Sequence, residues 1–277
     1  MEIIDFHTHT FPDELAPLAI AALISNSPES INHTDGTLSG LKSSMRENGI
    51  TCSVVLPVAT KASQVSTINR NCKLLAGPGI LPFGALHPEM ENFHEEIDFL
   101  ISNKIAGIKF HPEYQNFYID SPKVFPIYEA LSQAGLIVVF HAGMDPGPFT
   151  NDHVVPSMIR KVHKSFPDLL IVAAHMGGWK MWGEVNEYLC GLPVYFDTSA
   201  VSDEMSKDEF VKLVRLHGTE KILFGTDSPW FDQGGIRRWI EETSLTDDEK
   251  ERIFYRNANE LFSMATGSKP EAQDCCG

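Results

Sequence analysis

The first nine residues, Met1-Glu2-Ile3-Ile4-Asp5-Phe6-His7-Thr8-His9, decide how the rest of the chain is read. Ile3–His7 is a short apolar run of strand character, and side chains two apart on an extended strand project to the same face. Asp5, His7 and His9 are therefore expected to line up together. Two imidazoles on one face can bind a divalent transition metal at roughly 2.0–2.1 Å. Taken alone, the pair is equally well a couple of half-exposed histidines satisfied by water and backbone. Two ligands do not complete a site, so the rest must come from later in the chain.

Working outward, further apolar runs follow at Cys52–Val58, Ile80–Leu86, Ala106–Phe110, Leu136–His141, Leu169–His175, Val194–Asp197 and Ile222–Gly225. Helical segments are predicted between them at Leu38–Asn48, Ala62–Leu75, Phe93–Ser102, Val124–Ala134, Val155–Ser165, Trp179–Leu189 and Glu209–Leu216. Asp152 and Asp203 are candidate N-caps, and Gly49, Gly77, Gly135 and Gly191 candidate stops. Strands alternating with helices are the pattern of a buried parallel sheet. No Gly-x-Gly-x-x-Gly opens the first helix, so a closed (β/α)8 TIM barrel is expected rather than an open doubly wound sheet.

A single α/β domain is expected over residues 1–266. Its first β-to-α connection, residues 10–35, is long, holds a helix-like Asp13–Ile24 and ends in the polar stretch Ser25–Asp35, which makes it a candidate lid insertion. Leu245–Thr266 reads as a helix packed outside the barrel, and residues 267–277 as a small, polar, disordered tail.

Composition narrows the partners. A formal charge of −15, from 22 basic and 37 acidic residues, argues against a phosphate-tracking surface or attraction to an anionic membrane. A small-molecule substrate is expected, with no nucleic acid and no membrane; homo-oligomerisation is left open. The five cysteines, Cys52, Cys72, Cys190, Cys275 and Cys276, match no disulfide framework or paired metal spacing. With no signal segment or membrane-length apolar stretch, a reducing, cytoplasmic setting is expected.

The polar residues that interrupt this pattern fall at the C-terminal ends of the apolar runs, the face on which such barrels build active sites. His7 and His9 end the first run, His141 the fifth, His175 the sixth, and Asp227 follows the eighth. Barrel closure returns the eighth strand beside the first, bringing Asp227 to the two histidines. A lone histidine after a strand is more often a hydrogen-bonded core residue; several at matching ends reverse that reading. Lys109 and His111 share a face of strand four, and His87 closes strand three. Trp179, Trp182 and Trp230 follow strands six and eight, where they could wall a planar or apolar substrate or simply pack helices. His33, His94, His153, His163 and His217 fall outside the pattern.

With Phe11-Pro12 after the opening Asp-x-His-x-His, Gly107-Ile108-Lys109-Phe110-His111-Pro112, the histidines of strands five and six, and Gly225-Thr226-Asp227-x-Pro229, residues 1–266 resemble the amidohydrolase superfamily. The resemblance is nearer to its amidohydrolase-related branch, which includes 2-amino-3-carboxymuconate-6-semialdehyde decarboxylase. It implies one divalent metal, usually zinc, held by His7, His9, His141 and Asp227, with His175 orienting bound water or substrate. Other branches carry a carboxylated lysine on strand four that bridges two metals, and in that binuclear version Lys109 and His175 become additional ligands. In the mononuclear version Lys109 is free to meet a substrate carboxylate.

A bound zinc ion lowers the pKa of its water from 15.7 to about 7. The first expectation is therefore a metal-dependent hydrolase of an amide, ester or lactone, in which Asp227 and His175 are catalytic: Asp227 takes and returns the proton and His175 holds the water or carbonyl. The alternative is a non-oxidative decarboxylase of a carboxylated ring or dienoic acid using the same site. Lys109, His111, Trp179 and Trp230 are candidate substrate contacts, and Lys180, Arg237 and Arg238 further candidate cations for a carboxylate. A non-catalytic protein stabilised by its metal is the third reading.

Overall fold

The computed structural model describes residues 2–27 and 29–266; the tail predicted over residues 267–277 lies outside them. Eight strand positions run in chain order: β1 Ile4–Thr8, β2 Cys52–Val55, β3 in two pieces Ile80–Pro82 and Gly84–Ala85, β4 Gly107–Phe110, β5 Ile137–Phe140, β6 Leu170–Ala173, β7 Tyr195–Asp197 and β8 Ile222–Leu223. All ladders are parallel. The first piece of β3 pairs with β2 and the second with β4, so the strand changes partner at Phe83. The side chain of Asn69 spans this break, accepting the Ala85 N–H at 2.8 Å and donating to the Ala85 carbonyl at 3.2 Å.

The barrel closes through backbone hydrogen bonds from β1 to the residues after β8: Phe6 N to Phe224 O at 2.7 Å, Asp227 N to His7 O at 2.8 Å and His9 N to Ser228 O at 2.7 Å. The expected (β/α)8 architecture therefore holds, and each strand falls within or one residue past its predicted run. Helices Leu38–Asn48 and Phe93–Ser102 match their predicted bounds. Capping does not follow expectation: Ser206, in a capping box with Glu209, starts Lys207–His217 in place of Asp203, and Pro156–Ser165 begins without a side-chain cap.

Apolar residues form two layers. One lies between sheet and helices, around Phe110, Tyr128, Phe140, Phe196, Phe210 and Phe254. The other fills the floor of the barrel, where Phe6, Val54, Phe83, Val139 and Val172 meet Ala258, Leu261, Phe262 and Ala265 of helix Asn257–Thr266. The C-terminal helix was expected on the outer flank; instead its apolar stripe, spaced three and four residues apart, packs on Phe6 at 5.3 Å and Phe83 at 6.3 Å between ring centres. With the floor sealed, the strand ends at the opposite rim carry the buried polar groups.

The lid candidate forms helix Ala16–Asn26, which buries only Ala16 and Ile20. Its base is tied by Phe11 N to Gly36 O at 2.8 Å, and its far side by His33 N to Pro229 O at 2.6 Å. Ile20 packs so closely on Gly36, itself at φ +75°, that a Cβ there would meet Ile20 Cδ1 at 3.0 Å.

Candidate metal centre

At β1 the pairing register slips between Asp5 and Thr8. Such a bulge breaks the two-residue alternation, and it corrects the expectation that Asp5, His7 and His9 share a face. Phe6 goes to the floor and His7 to the rim. Asp5 turns toward helix Gln233–Glu241, where its carboxylate accepts from Thr226 Oγ1 at 2.6 Å, Thr226 N at 3.0 Å, Gln233 Nε2 at 2.7 Å and His7 N at 3.2 Å. Burial pushes this carboxyl up to about 7, against those four donors. Asp5 therefore braces β1 against the segment after β8 and does not reach the two imidazoles.

His7, His9 and Asp227 do converge, with ligand atoms within 4.8 Å of one another. His9 Nδ1 lies 2.7 Å from the Leu56 carbonyl, which can only accept, so the proton sits on Nδ1 and the Nε2 lone pair faces Asp227 Oδ1 at 3.1 Å. His7 Nδ1 lies 2.8 Å from Asp197 Oδ2, and its Nε2 faces the same Asp227 oxygen at 3.3 Å. Two imidazole lone pairs and a carboxylate oxygen thus point at one another, an arrangement that is repulsive without a positive charge among them. The donor set fits a divalent cation of the kind imidazole and carboxylate ligate.

Lys109 supplies the neighbouring charge: its Nζ is 3.2 Å from His7 Nε2, and it is almost wholly buried. Burial lowers its pKa to about 8 and that of His7 to about 4, the latter helped by Lys109. Burial alone would raise Asp227, but positive charge at His7 and His9, as protonated imidazoles bring it, outweighs burial and holds the carboxyl well below its usual range. Both His175 (φ 58°) and Asp227 (φ 69°) sit in the left-handed backbone region, which costs on the order of 1–3 kcal/mol each and is concentrated at functional sites.

The histidines of β5 and β6 form a second arm. His141 Nδ1 meets His175 Nε2 at 3.0 Å, and His141 Nε2 meets the Met144 carbonyl at 3.0 Å. His141 also stacks on His111 at 4.1 Å, and Asp145 Oδ2 lies 3.3 Å from His111 Nε2 and 3.9 Å from His141 Nε2. The four-residue ligand set expected from the sequence is therefore not gathered on one point. His141 reaches the first group through His175, because the loop after β5 captures its Nε2.

Trp179 is turned to the rim by its indole N–H, which donates to the Ala200 carbonyl at 3.0 Å, with Lys180 Nζ 4.2 Å above the ring. Lys180 is paired with Glu204 at 2.7 Å. Trp230 is half-buried beside Asp227, its backbone N–H bonded to the Asp227 carbonyl at 2.9 Å. Arg237 and Arg238 point away: Arg237 bonds the Asn48 carbonyl and Glu241, and Arg238 meets Asp232. His87 accepts the Glu89 N–H, a structural role, and His153 pairs with buried Glu113 at 2.8 Å.

Four contributors lie outside the set expected from the sequence. Asp197 and Ser199 end β7 beside His7 and His175, and Asp197 carried the same strand-end signal as the residues that were chosen. Asp145 had no such signal, since only the loop turn that ties its Oδ1 to Gly147 N at 2.7 Å aims it inward. Tyr114, edge-on to His111 at 4.4 Å and to Phe149 at 4.8 Å, adds an aromatic wall.

A closed parallel barrel with convergent histidine and aspartate ligands at its C-terminal rim defines the class of metal-dependent barrel enzymes. The amidohydrolase family model matches residues 4–264, and the chain belongs to that family. It is 24% identical over 135 residues to gamma-resorcylate decarboxylase of Polaromonas sp. (strain JS666 / ATCC BAA-500), a match covering 43% of this chain and 41% of that relative, so less than half its length. The crystal structure of 5-carboxyvanillate decarboxylase from Sphingomonas paucimobilis superposes with a TM-score of 0.73 at 16% identity, covering 94% of this chain and 98% of that one. Dihydroxybenzoic acid decarboxylase from Polaromonas sp. JS666, solved with bound manganese and the inhibitor 2-nitroresorcinol, superposes with a TM-score of 0.74 at 17% identity, covering 95% and 97%. No helix among the described residues is long and apolar enough to cross a membrane.

Proposed function

We propose that the protein is a divalent-metal-dependent, non-oxidative decarboxylase of a hydroxylated aromatic carboxylic acid. The observation that carries the metal reading is the convergence of His7, His9 and Asp227 on one point. Decarboxylation is favoured over the amide, ester or lactone hydrolysis expected first because the named relatives just described are decarboxylases. Residues 10–35 are assigned as a lid, supported by the few buried contacts of helix Ala16–Asn26 and its position over the rim.

In this reading His7, His9 and Asp227 hold the ion, which when bound supplies Lewis-acid charge to the substrate's oxygens. Lys109 faces the substrate carboxylate as the buried cation of the site. Asp227, held ionised by the positive charge gathered at its two histidines, takes the proton of a ring hydroxyl and delivers it to the ring carbon that bears the carboxylate. The C–C bond then breaks, carbon dioxide leaves, and the electron pair returns to the ring as a phenolate, which takes a proton from solvent. His175 orients the substrate, and Tyr114 and Trp179 wall the ring.

The test is carbon dioxide release from a panel of ortho-hydroxylated benzoates and unsaturated carboxylic acids by manganese- or zinc-loaded protein, run beside amide, ester and lactone panels. Turnover confined to the carboxylic acids supports the proposal; turnover confined to the hydrolase panel contradicts it.

One observation favours a second, binuclear hydrolase reading. Lys109 Nζ stands 3.2 Å from His7 Nε2 while His141 Nδ1 and His175 Nε2 face each other at 3.0 Å, as a carboxylated Lys109 with a further ion on those two histidines would require. A count of two metals in the wild type, falling in Lys109→Ala, would select it.

A further inference from the structure

One carboxylate serves both arms of the centre. Asp197 Oδ2 lies 2.8 Å from His7 Nδ1. Its Oδ1 accepts two obligate donors, the His175 N–H at 3.0 Å and the Ser199 N–H at 3.1 Å, and the Ser199 hydroxyl closes on that same oxygen. Ser199 Oγ is also 2.8 Å from His175 Nδ1 and 3.1 Å from His7 Nδ1, and the Ser199 carbonyl is 3.2 Å from His175 Nδ1.

The hydroxyl has one proton. Once it is given to Asp197, Ser199 Oγ can only accept, so His175 Nδ1 must carry a hydrogen toward it and toward the Ser199 carbonyl. The same carboxylate obliges His7 Nδ1 to donate. Both imidazoles are thereby left with bare Nε2 atoms, His7 toward Asp227 and His175 toward His141. We propose that Asp197, acting directly on His7 and through Ser199 on His175, is the positioning residue that sets the tautomer of both histidines, and so presents His7 Nε2 as a ligand to the ion and His175 Nε2 as an acceptor beside it. An acidic residue behind a ligating histidine fixes tautomer and ring orientation, and its loss usually weakens metal binding about 10–100-fold. Here a single residue would do this for two strands at once. The inference rests on the metal reading of the site.

In Asp197→Asn the amide keeps an acceptor for the two backbone N–H groups but offers its own N–H to His7 Nδ1, which turns His7 to the opposite tautomer. Manganese titrated calorimetrically into chelator-treated protein is expected to bind Asp197→Asn about 10–100-fold more weakly than wild type. Ser199→Ala, in which His175 Nδ1 keeps the backbone carbonyl, is expected to lose less. Equal affinity of Asp197→Asn and wild type would overturn the proposal. Nitrogen-15 spectra of metal-free wild type keep the test open should the variant not fold: protonated Nδ1 with bare Nε2 on both His7 and His175 is expected, and the opposite tautomer on either overturns it. Wild type that takes up no manganese while showing these tautomers would sink the metal reading and leave the positioning role standing.

Discussion

The two ends of the barrel are made from the same strands and solve opposite problems. At the floor, Phe6, Phe83 and Phe262 pack edge-to-face and tilted within 5.3–6.3 Å of one another and bury nothing polar among them. At the rim, His7, Lys109, His175 and Asp197 are as deeply buried as that floor, yet all are polar, and His7 and His175 turn bare Nε2 atoms toward Asp227 and His141. Burying polar groups costs free energy unless each is paired. The floor is therefore where the fold gains stability, and the rim is where it gives some up for ligand geometry. The β1 bulge is the joint between the two, sending Phe6 down and His7 across in consecutive residues.

That contrast can be broken from either end. Asp227→Ala, at the rim, is expected to lower turnover by about 10³-fold or more while folding is retained, because it removes a ligand and the proton carrier together; steady-state kinetics beside a thermal melt check both halves. Phe262→Ala, at the floor, is expected to cost about 3–5 kcal/mol of stability by opening a cavity, with metal bound per folded chain unchanged. Urea unfolding beside metal analysis would show it, and a loss of metal without a loss of stability would erase the division.

A third test lies outside both ends. Buried His217 stacks on Phe196 at 3.7 Å, donates from Nε2 to the Val194 carbonyl at 2.7 Å and accepts the Gly191 N–H on Nδ1. Burial lowers its pKa from 6.5 to about 4. Between those values the unfolded chain binds the extra proton, so the contribution of His217 is complete above pH 6.5 and is lost as pH falls toward 4. The expected loss is about 3 kcal/mol, and it should be missing from the stability-versus-pH profile of His217→Gln. The smallest effect is expected at the surface, where Ser206→Ala removes the capping box of helix Lys207–His217 and should cost about 1 kcal/mol with activity intact.

The strands were legible because a parallel sheet covered on both faces needs unbroken apolar runs, and Val138-Val139-Phe140 can be little else. His7, His9 and Asp227 were legible because closure of a barrel is a topological rule that brings distant strand ends together. Asp5 was misplaced because a bulge leaves no mark in residue types, and strict alternation assumed there was none. The ligand role expected for His141 depended on the path of the loop after β5, where Met144 and Asp145 capture its ring through geometry that spacing does not encode. The C-terminal helix showed its apolar stripe in the sequence, but not that the floor, rather than the flank, was open to receive it.

The most direct test of the central claim is the metal content per chain, measured by elemental analysis on protein purified without chelator in metal-replete medium, for wild type, Lys109→Ala and Asp227→Ala. One divalent ion in wild type, kept in Lys109→Ala and lost in Asp227→Ala, is the result expected of a centre held by His7, His9 and Asp227. An empty wild type, or an Asp227→Ala that holds its ion as tightly, would contradict it.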